Sequence, residues 1–381
     1  MLFEQITLEN LFSFKKTTVQ LRGLNVLIGA NAVGKSNLVE AIGLLHAAPT
    51  DLSTAIRRLG GVRVVCSLAG PNYSPISAIE CSGMCGEALR YRLEFSEEAR
   101  GFVILKERLG GAHLSAGDGN GMPYFERIGG NVRFGAESSP VPLTQSVFQV
   151  YKSPADATPI TRVGRELESI RIYREFRTTG DSQARVGAGV SSPPAWNKFL
   201  HDGGDNLALV LLDMDFKSVS SRIRAYLQRF CDRFTDLKVR LDGSIAKTYI
   251  EETGLLEPLV SWRLSDGTLK FLCLLAVFLD PDVAPLICIE EPEVGLHPDA
   301  IQIIAEALVE ASERTQLIVT THSEALIDAL SEHPEHVLVT ERDFENGTQF
   351  KRLDEKQLSS WLERYTLGAL WRKGELGGTR W

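Results

Sequence analysis

Two stretches of this chain carry residues at the spacing that phosphate chemistry requires. The first is Gly29-Ala30-Asn31-Ala32-Val33-Gly34-Lys35-Ser36-Asn37. Its glycines let backbone N–H groups approach and wrap phosphate oxygens. Lys35 has the reach to bridge the β- and γ-phosphates of ATP, and the Ser36 hydroxyl is a ligand for Mg²⁺. The second is Leu286-Ile287-Cys288-Ile289-Glu290-Glu291-Pro292-Glu293, an apolar run that ends in paired carboxylates. In such a pair one carboxylate serves the metal shell and the next polarises an attacking water. We assign Glu290 to the metal and Glu291 to the water; Glu293 receives no role from the sequence.

The flanking elements support these assignments. Val26 to Ile28 reads as a buried strand and Leu38 to Leu45 as a helix. G-x-x-x-x-G-K-[ST] between a strand and a helix is the Walker A context, and the helix N-terminus adds partial positive charge behind the loop. The apolar run before Glu290 makes a surface patch of acids the lesser reading. Leu264-Ser265-Asp266-Gly267-Thr268 leads into an apolar helix from Leu269 to Leu279. A Ser and a Gly at a helix N-terminus can hold anionic oxygen, although Ser-Asp-Gly also starts ordinary helices. Val294-Gly295-Leu296-His297-Pro298 reads as a tight loop, with Pro298 near the start of a helix from Asp299 to Ala311. His297 is either a ligand or a turn residue. The run Gln316 to Thr320 predicts another buried strand, after which His322 stands where a γ-phosphate would lie.

Composition bounds the rest. The chain has 381 residues, 44% of them hydrophobic, enough for about two or three domain-sized units. A net charge of −8 leaves no global footprint for nucleic acid. The six cysteines form no C-x-x-C pair, so free thiols are expected. The N-terminus lacks a basic region followed by an apolar core, and the apolar runs are too short to span a bilayer. The expectation is a soluble cytoplasmic protein.

Along the chain, residues 3 to 9 and Thr17 to Leu21 predict strands; Phe12 or Phe14 between them could stack on an adenine or sit in the core. Val62 to Cys66, Leu89 to Phe95, Phe102 to Leu105 and Val132 to Phe134 predict an antiparallel sheet, with Gly110-Gly111, Gly117 to Gly121 and Gly129-Gly130 as turns. Ser138 to Pro159 reads as surface loop. Gly164 to Phe176, Asn206 to Met214 and Ser218 to Phe234 have helical spacing, without sustained heptads. Arg222, Arg229 and Arg233 fall near one helical face, more often a solvated face than a phosphate-binding one.

The order of these motifs resembles ABC-type ATPase heads of the RecF/SMC kind. More narrowly, it is similar to stand-alone bacterial AAA-family ATPases grouped with overcoming-lysogenization-defect (OLD) and anti-phage-defence ATPases. Leu8 to Lys15, Gly203 to Leu209 and the tail Leu370 to Gly378 share in the resemblance. It implies that Ser265, Asp266 and Gly267 form a signature motif capping ATP held by a second subunit. It implies further that Val294 to His297 is the D-loop, that His322 senses the γ-phosphate, and that Gln149 is the Q-loop glutamine, with Gln145 the competitor. Two residues depart from the pattern: Ala32 stands where glycine is common, and Glu290 where Asp is usual.

The architecture expected is an α/β, ABC-type P-loop ATPase head, a mixed sheet core with an antiparallel β lobe and a helical insertion. The expected segments are a first lobe at 1–165, the insertion at 166–243, a second lobe at 244–345 and a tail at 346–381. The cofactors implied are ATP and Mg²⁺, bound by Gly29, Asn31, Gly34, Lys35, Ser36, Asn37 and Gln149, with Ser36 and Glu290 on the metal and Glu291 and His322 catalytic. The resemblance implies a homodimer or higher oligomer, a separate nuclease or other effector, and no membrane. The competing reading is a repair or chromosome-structure ATPase that binds DNA itself; a transporter ATPase is disfavoured by the RecF-like opening and the tail.

Overall fold

The computed structural model describes residues 1–66, 76–98, 101–111, 123–153, 156–190 and 199–378. The expected turn at Gly117 to Gly121 lies outside them. The chain divides into two compact units, one comprising Met1–Ile170, Glu335–Glu355 and Lys373–Trp381, the other Arg171–Pro334 and Lys356–Arg372.

The first unit is built on a mixed sheet. Its strands are β1 (Gln5–Leu11), β2 (Phe14–Gln20), β3 (Leu24–Ile28), β4 (Ile76–Ser82), β5 (Leu89–Glu98), β6 (Gly101–Gly111), β7 (Phe125–Ile128), β8 (Asn131–Phe134), β9 (Glu137–Pro140), β17 (Val337–Asp343) and β18 (Gly347–Arg352). They run in the order β3-β17-β18-β2-β1-β4-β5-β6-β7-β8-β9. Only β3 and β17 pair in parallel, with Val26 opposite Val337; the ladders from β18 outward are antiparallel. Every residue of β3 is buried, as a strand covered on both faces requires, whereas β5 alternates until its end. The helix Lys35–Ala47 follows β3.

The antiparallel wing contains a buried ion pair. Glu107 on β6 and Arg127 on β7 are both fully buried, 3.8 Å apart. Glu107 accepts hydrogen bonds from the Tyr91 hydroxyl at 3.0 Å, the Ser146 hydroxyl at 2.6 Å and the Val147 N–H at 2.9 Å. Arg127 donates to the carbonyls of Gly129, Pro142 and Gln145. Buried charges persist when paired and hydrogen-bonded in this way.

Sequence and structure part in three places here. Val62 to Val65 is a short helix, not a strand. Gly60 and Gly61 both have positive φ, and the N–H groups of Val64 and Val65 turn back to the Gly61 carbonyl, so Val62 and Val65 are buried from one helical face. The stretch read as loop from Ser138 to Pro159 holds part of β9 and the helix Val147–Tyr151, whose cap is the Ser146 hydroxyl. The helix expected from Gly164 to Phe176 instead runs Pro159–Glu168, with Pro159 in its first turn and the Thr158 hydroxyl as cap.

The second unit carries β10 (Arg171–Tyr173), β11 (Ala188–Gly189), β12 (Phe234–Asp242), β13 (Ile245–Glu252), β14 (Leu259–Val260), β15 (Leu286–Glu290) and β16 (Gln316–Thr320). Strands β10, β15 and β16 are parallel neighbours in that order, with Glu290 opposite Thr320. A small antiparallel sheet has the order β11-β13-β12, with β14 also on β13. Residues 166–243, read as a helical insertion, do contain the helices Leu207–Phe216 and Ser220–Phe230, but also β10, β11 and β12. The arginine face is occupied: Arg222 pairs with Glu310, Arg229 with Glu306 at 2.7 Å and Arg233 with Glu252 at 3.2 Å. Asp213 pairs with Lys217, and Asp215 accepts from the Ser220 hydroxyl. Among the described residues no helix is long and apolar enough to cross a membrane.

Candidate functional site

The loop from Gly29 to Gly34 is held by backbone geometry. Gly29 has φ +149° and Gly34 φ +111°. A Cβ on Gly29 would come within 2.4 Å of the Thr340 carbonyl oxygen. One on Gly34 would meet the Thr348 and Ser13 hydroxyls at 2.4 and 2.5 Å. Glycine is required at both positions by conformation and by space. Ala32 also lies in the left-handed region, at φ +64°, so the departure noted in the sequence carries strain where glycine would not.

The Lys35 ammonium is buried and turned onto its own loop, donating to the carbonyls of Gly29 at 2.7 Å and Ala30 at 2.9 Å. Ser36 and Asn31 are exposed. The Asn37 amide donates to the Ser13 hydroxyl at 2.7 Å. The Thr348 hydroxyl lies within hydrogen-bond distance of Ser13 and of the Val33 carbonyl. Ser13 and Thr348 were not singled out by the sequence, because each becomes part of the loop only through strand pairing. Phe14 is fully buried against Phe350, which leaves Phe12 as the more accessible ring.

In the second unit, Glu290 ends β15 and Glu291 follows it directly, as the apolar run predicted. Glu290 is largely buried, with the Arg174 guanidinium 3.6 Å away. Glu291 is half-exposed, and its carboxylate lies 3.8 Å from His322 Nε2. Adjacent parallel strands therefore deliver the two candidate catalytic groups to one edge. Glu291 has φ +47°, a conformation that non-glycine residues hold only when their surroundings fix it. Its N–H donates to the Thr320 carbonyl at 2.9 Å.

Glu293, silent in the sequence, braces His322. One carboxylate oxygen accepts from the Thr321 hydroxyl at 2.6 Å and from the His322 N–H at 3.0 Å. His297 is the cap of the helix Pro298–Ser312, where Nδ1 accepts from the Asp299 N–H at 3.3 Å. It is a turn residue here.

Ser265 caps the helix Asp266–Leu279, accepting from the Thr268 N–H at 3.1 Å. Arg185 fixes the approach to it, donating to the carbonyls of Trp262 and Leu264 at 2.9 and 2.8 Å and to the Asp266 carboxylate at 2.5 Å. A Cβ on Gly267 would stand 2.9 Å from the Gly295 carbonyl oxygen, so the helix start and the following loop are in close contact. A cavity of about 620 Å³ opens beside them, lined among others by Gly267, Lys270, Glu291, Gly295, Arg174 and Arg177. Burial lowers the pKa of Lys270, against the pull of the nearby Glu293, Glu291 and Glu175 carboxylates.

The two glutamines differ in setting. Gln149 is half-buried within the helix Val147–Tyr151; Gln145 precedes that helix, its carbonyl held by Arg127.

The donor types fit the groups they would hold. The loop offers N–H groups and an ammonium, as an anionic phosphate chain needs. Ser36 and Glu290 offer the hard oxygen donors that Mg²⁺ takes.

No curated protein matches the chain. Among solved structures it is similar to an Smc head bound to the C-winged helix domain of ScpA, at 11% identity and TM-score 0.53 over 94% of this chain and 99% of that one. It is also similar to the Smc head domain with an extended coiled coil bound to the C-terminal domain of ScpA derived from Pyrococcus furiosus. There the identity is 13% and the TM-score 0.53, over 95% of this chain and 98% of that one. At these identities the likeness is one of fold. A family described as "AAA domain, putative AbiEii toxin, Type IV TA system" matches residues 24–111 and 197–328, which include the Gly29–Asn37 loop, the Ser265 cap, the Glu290–Glu291 pair and His322. The chain belongs to that AAA family, and its fold is that of an ABC-type ATPase head of the RecF/SMC kind.

Proposed function

We propose that this chain binds and hydrolyses ATP with Mg²⁺, closes as a dimer around the nucleotide, and uses that closure to control a separate DNA-directed effector in an anti-phage defence system. The observation that carries the reading is the pairing of Glu291 with His322 at the ends of adjacent strands, 3.8 Å apart. A carboxylate orients and deprotonates a water; an imidazole beside it follows the γ-phosphate. Glu291 is the base in this reading, and Glu293 holds the His322 backbone in place for it. Lys35 and the N–H groups after Gly29 bind the phosphates, with Asn31 and Asn37 on the rim of the loop. Ser36 and Glu290 would hold Mg²⁺, which when bound neutralises charge on the β- and γ-phosphates. Gln149 is our choice for the glutamine that links nucleotide to the rest of the head. Ser265, Asp266 and Gly267 would cap the ATP of the second subunit.

The family description places relatives in toxin–antitoxin systems, and the Smc heads to which the fold is similar are bound to a partner protein. Both support action through a partner. Direct DNA binding gains little support: Arg222, Arg229 and Arg233 are paired with carboxylates, and the net charge is −8. Asp213 and Asp215, an acidic pair near the end of the helix Leu207–Phe216, are engaged by Lys217 and Ser220.

The test is phosphate release by the purified chain beside Glu291→Gln, with ATP binding and molar mass by light scattering measured in parallel. The reading expects turnover by the wild type and an ATP-bound dimer that accumulates in Glu291→Gln. Hydrolysis undiminished in that variant would remove Glu291 from the mechanism.

A further inference from the structure

We infer that Lys270 is a positioning residue that ties the first turns of the helix Asp266–Leu279 to the turn carrying Glu291. The inference rests on the nucleotide reading above and adds to it a link between two of its parts. Lys270 Nζ donates to the Val294 carbonyl at 2.6 Å and to the Glu291 carbonyl at 3.3 Å. A second contact lies one turn earlier, where Gly267 leaves no room for a Cβ against the Gly295 carbonyl. The helix therefore meets main-chain carbonyls of the turn at two points.

The arrangement matters because of how Glu291 is held. Its backbone is left-handed, so its own preference would rotate it away. On one side its N–H is fixed by the Thr320 carbonyl. On the other side its carbonyl accepts from the Val294 N–H at 3.2 Å and from Lys270, which also holds the Val294 carbonyl and so grips both ends of the turn. A rotation of this peptide would swing the Glu291 carboxylate from the imidazole it now faces at 3.8 Å. The acceptors are carbonyls, so the role of Lys270 is geometric. Burial pushes the Lys270 pKa down, against the pull of the Glu293, Glu291 and Glu175 carboxylates. An ion-pair role would direct it at one of them; instead its close contacts are with the backbone. Displacement of the helix start, where Ser265, Asp266 and Gly267 lie, thus reaches Glu291 without passing through the strand.

The test compares Lys270→Met, Lys270→Arg, Glu291→Gln and Lys35→Ala in the full chain. kcat and KM for ATP, binding of a fluorescent ATP analogue and thermal unfolding are measured for each. Methionine keeps the apolar stem and removes the donors; arginine keeps donors. We expect Lys270→Met to lower kcat by about tenfold to a hundredfold, the range for donors lost from a charged group, with analogue affinity within about twofold of wild type. Lys270→Arg should recover most of the loss. Wild-type kcat in Lys270→Met, while Glu291→Gln is inactive, overturns the inference and leaves the nucleotide reading intact. So does a loss that arginine fails to recover and that follows the fall in melting temperature, which marks a purely structural side chain. Normal turnover in Glu291→Gln instead overturns the nucleotide reading and the inference with it.

Discussion

The Gly29–Ser36 loop and the carboxylate turn are held by different means. Around Gly29 to Ser36 the neighbours are in contact: hydroxyls within 2.7 Å of one another, an ammonium buried on two carbonyls, glycines with no room for a methyl. At Glu291 the carboxylate is half-exposed and faces the His322 imidazole at 3.8 Å. The backbone of that turn is tethered by Thr320 and Lys270. The contrast separates two tasks. A preformed loop binds without reorganising, and a half-exposed carboxylate can change partners during a reaction cycle.

Four substitutions break or sharpen this contrast. Lys35→Ala has the largest expected effect: ATP affinity should fall by at least about a hundredfold in a binding titration, because a buried ammonium aimed into the loop is lost. Glu291→Gln should cut phosphate release by at least about a hundredfold while affinity stays within a few-fold, since glutamine cannot accept the proton. Equal losses of binding in both variants would erase the distinction between the two regions. Ser265→Arg should abolish turnover on its own. Mixed with Lys35→Ala chains it should recover a fraction of activity if the cap serves a second subunit; recovery absent at every mixing ratio would place Ser265 in its own chain's site.

The smallest effect is expected from Thr348→Val. It removes hydroxyl contacts to Ser13 and Val33 behind the loop and should weaken ATP binding by about fivefold, with kcat unchanged. A change in kcat alone would show that the loop's backing also serves the chemical step.

How far the sequence could be read follows from where each residue finds its partners. The loop, β3 and its helix are one continuous local motif, as are β15 with its two carboxylates. The antiparallel wing was legible from alternation in β5 and the apolar run that opens β6. Val62 to Val65 misled because a β-branched run looks extended unless Gly60 and Gly61 are read as the turn that curls it. Arg222, Arg229 and Arg233 showed a face but not its partners, which lie on the helix Pro298–Ser312 and on β13. Glu293 and Lys270 gave no signal because each acts on the backbone of a segment distant in sequence. Glu107 and Arg127 were invisible for the opposite reason: charged residues on strands look solvent-facing until both turn out to be buried.

Thr348 has one more consequence, in time. Its hydroxyl reaches Val33 across 315 residues of chain. At about 5–20 residues per second, a ribosome spends roughly 15–60 seconds making what lies between them. Throughout that interval the emerging Gly29–Gly34 segment has neither Thr340 nor Thr348 behind it. The loop that looks most self-contained in the sequence is therefore among the last parts of the molecule to acquire its shape, and a nascent chain stalled before β17 carries the motif without its backing.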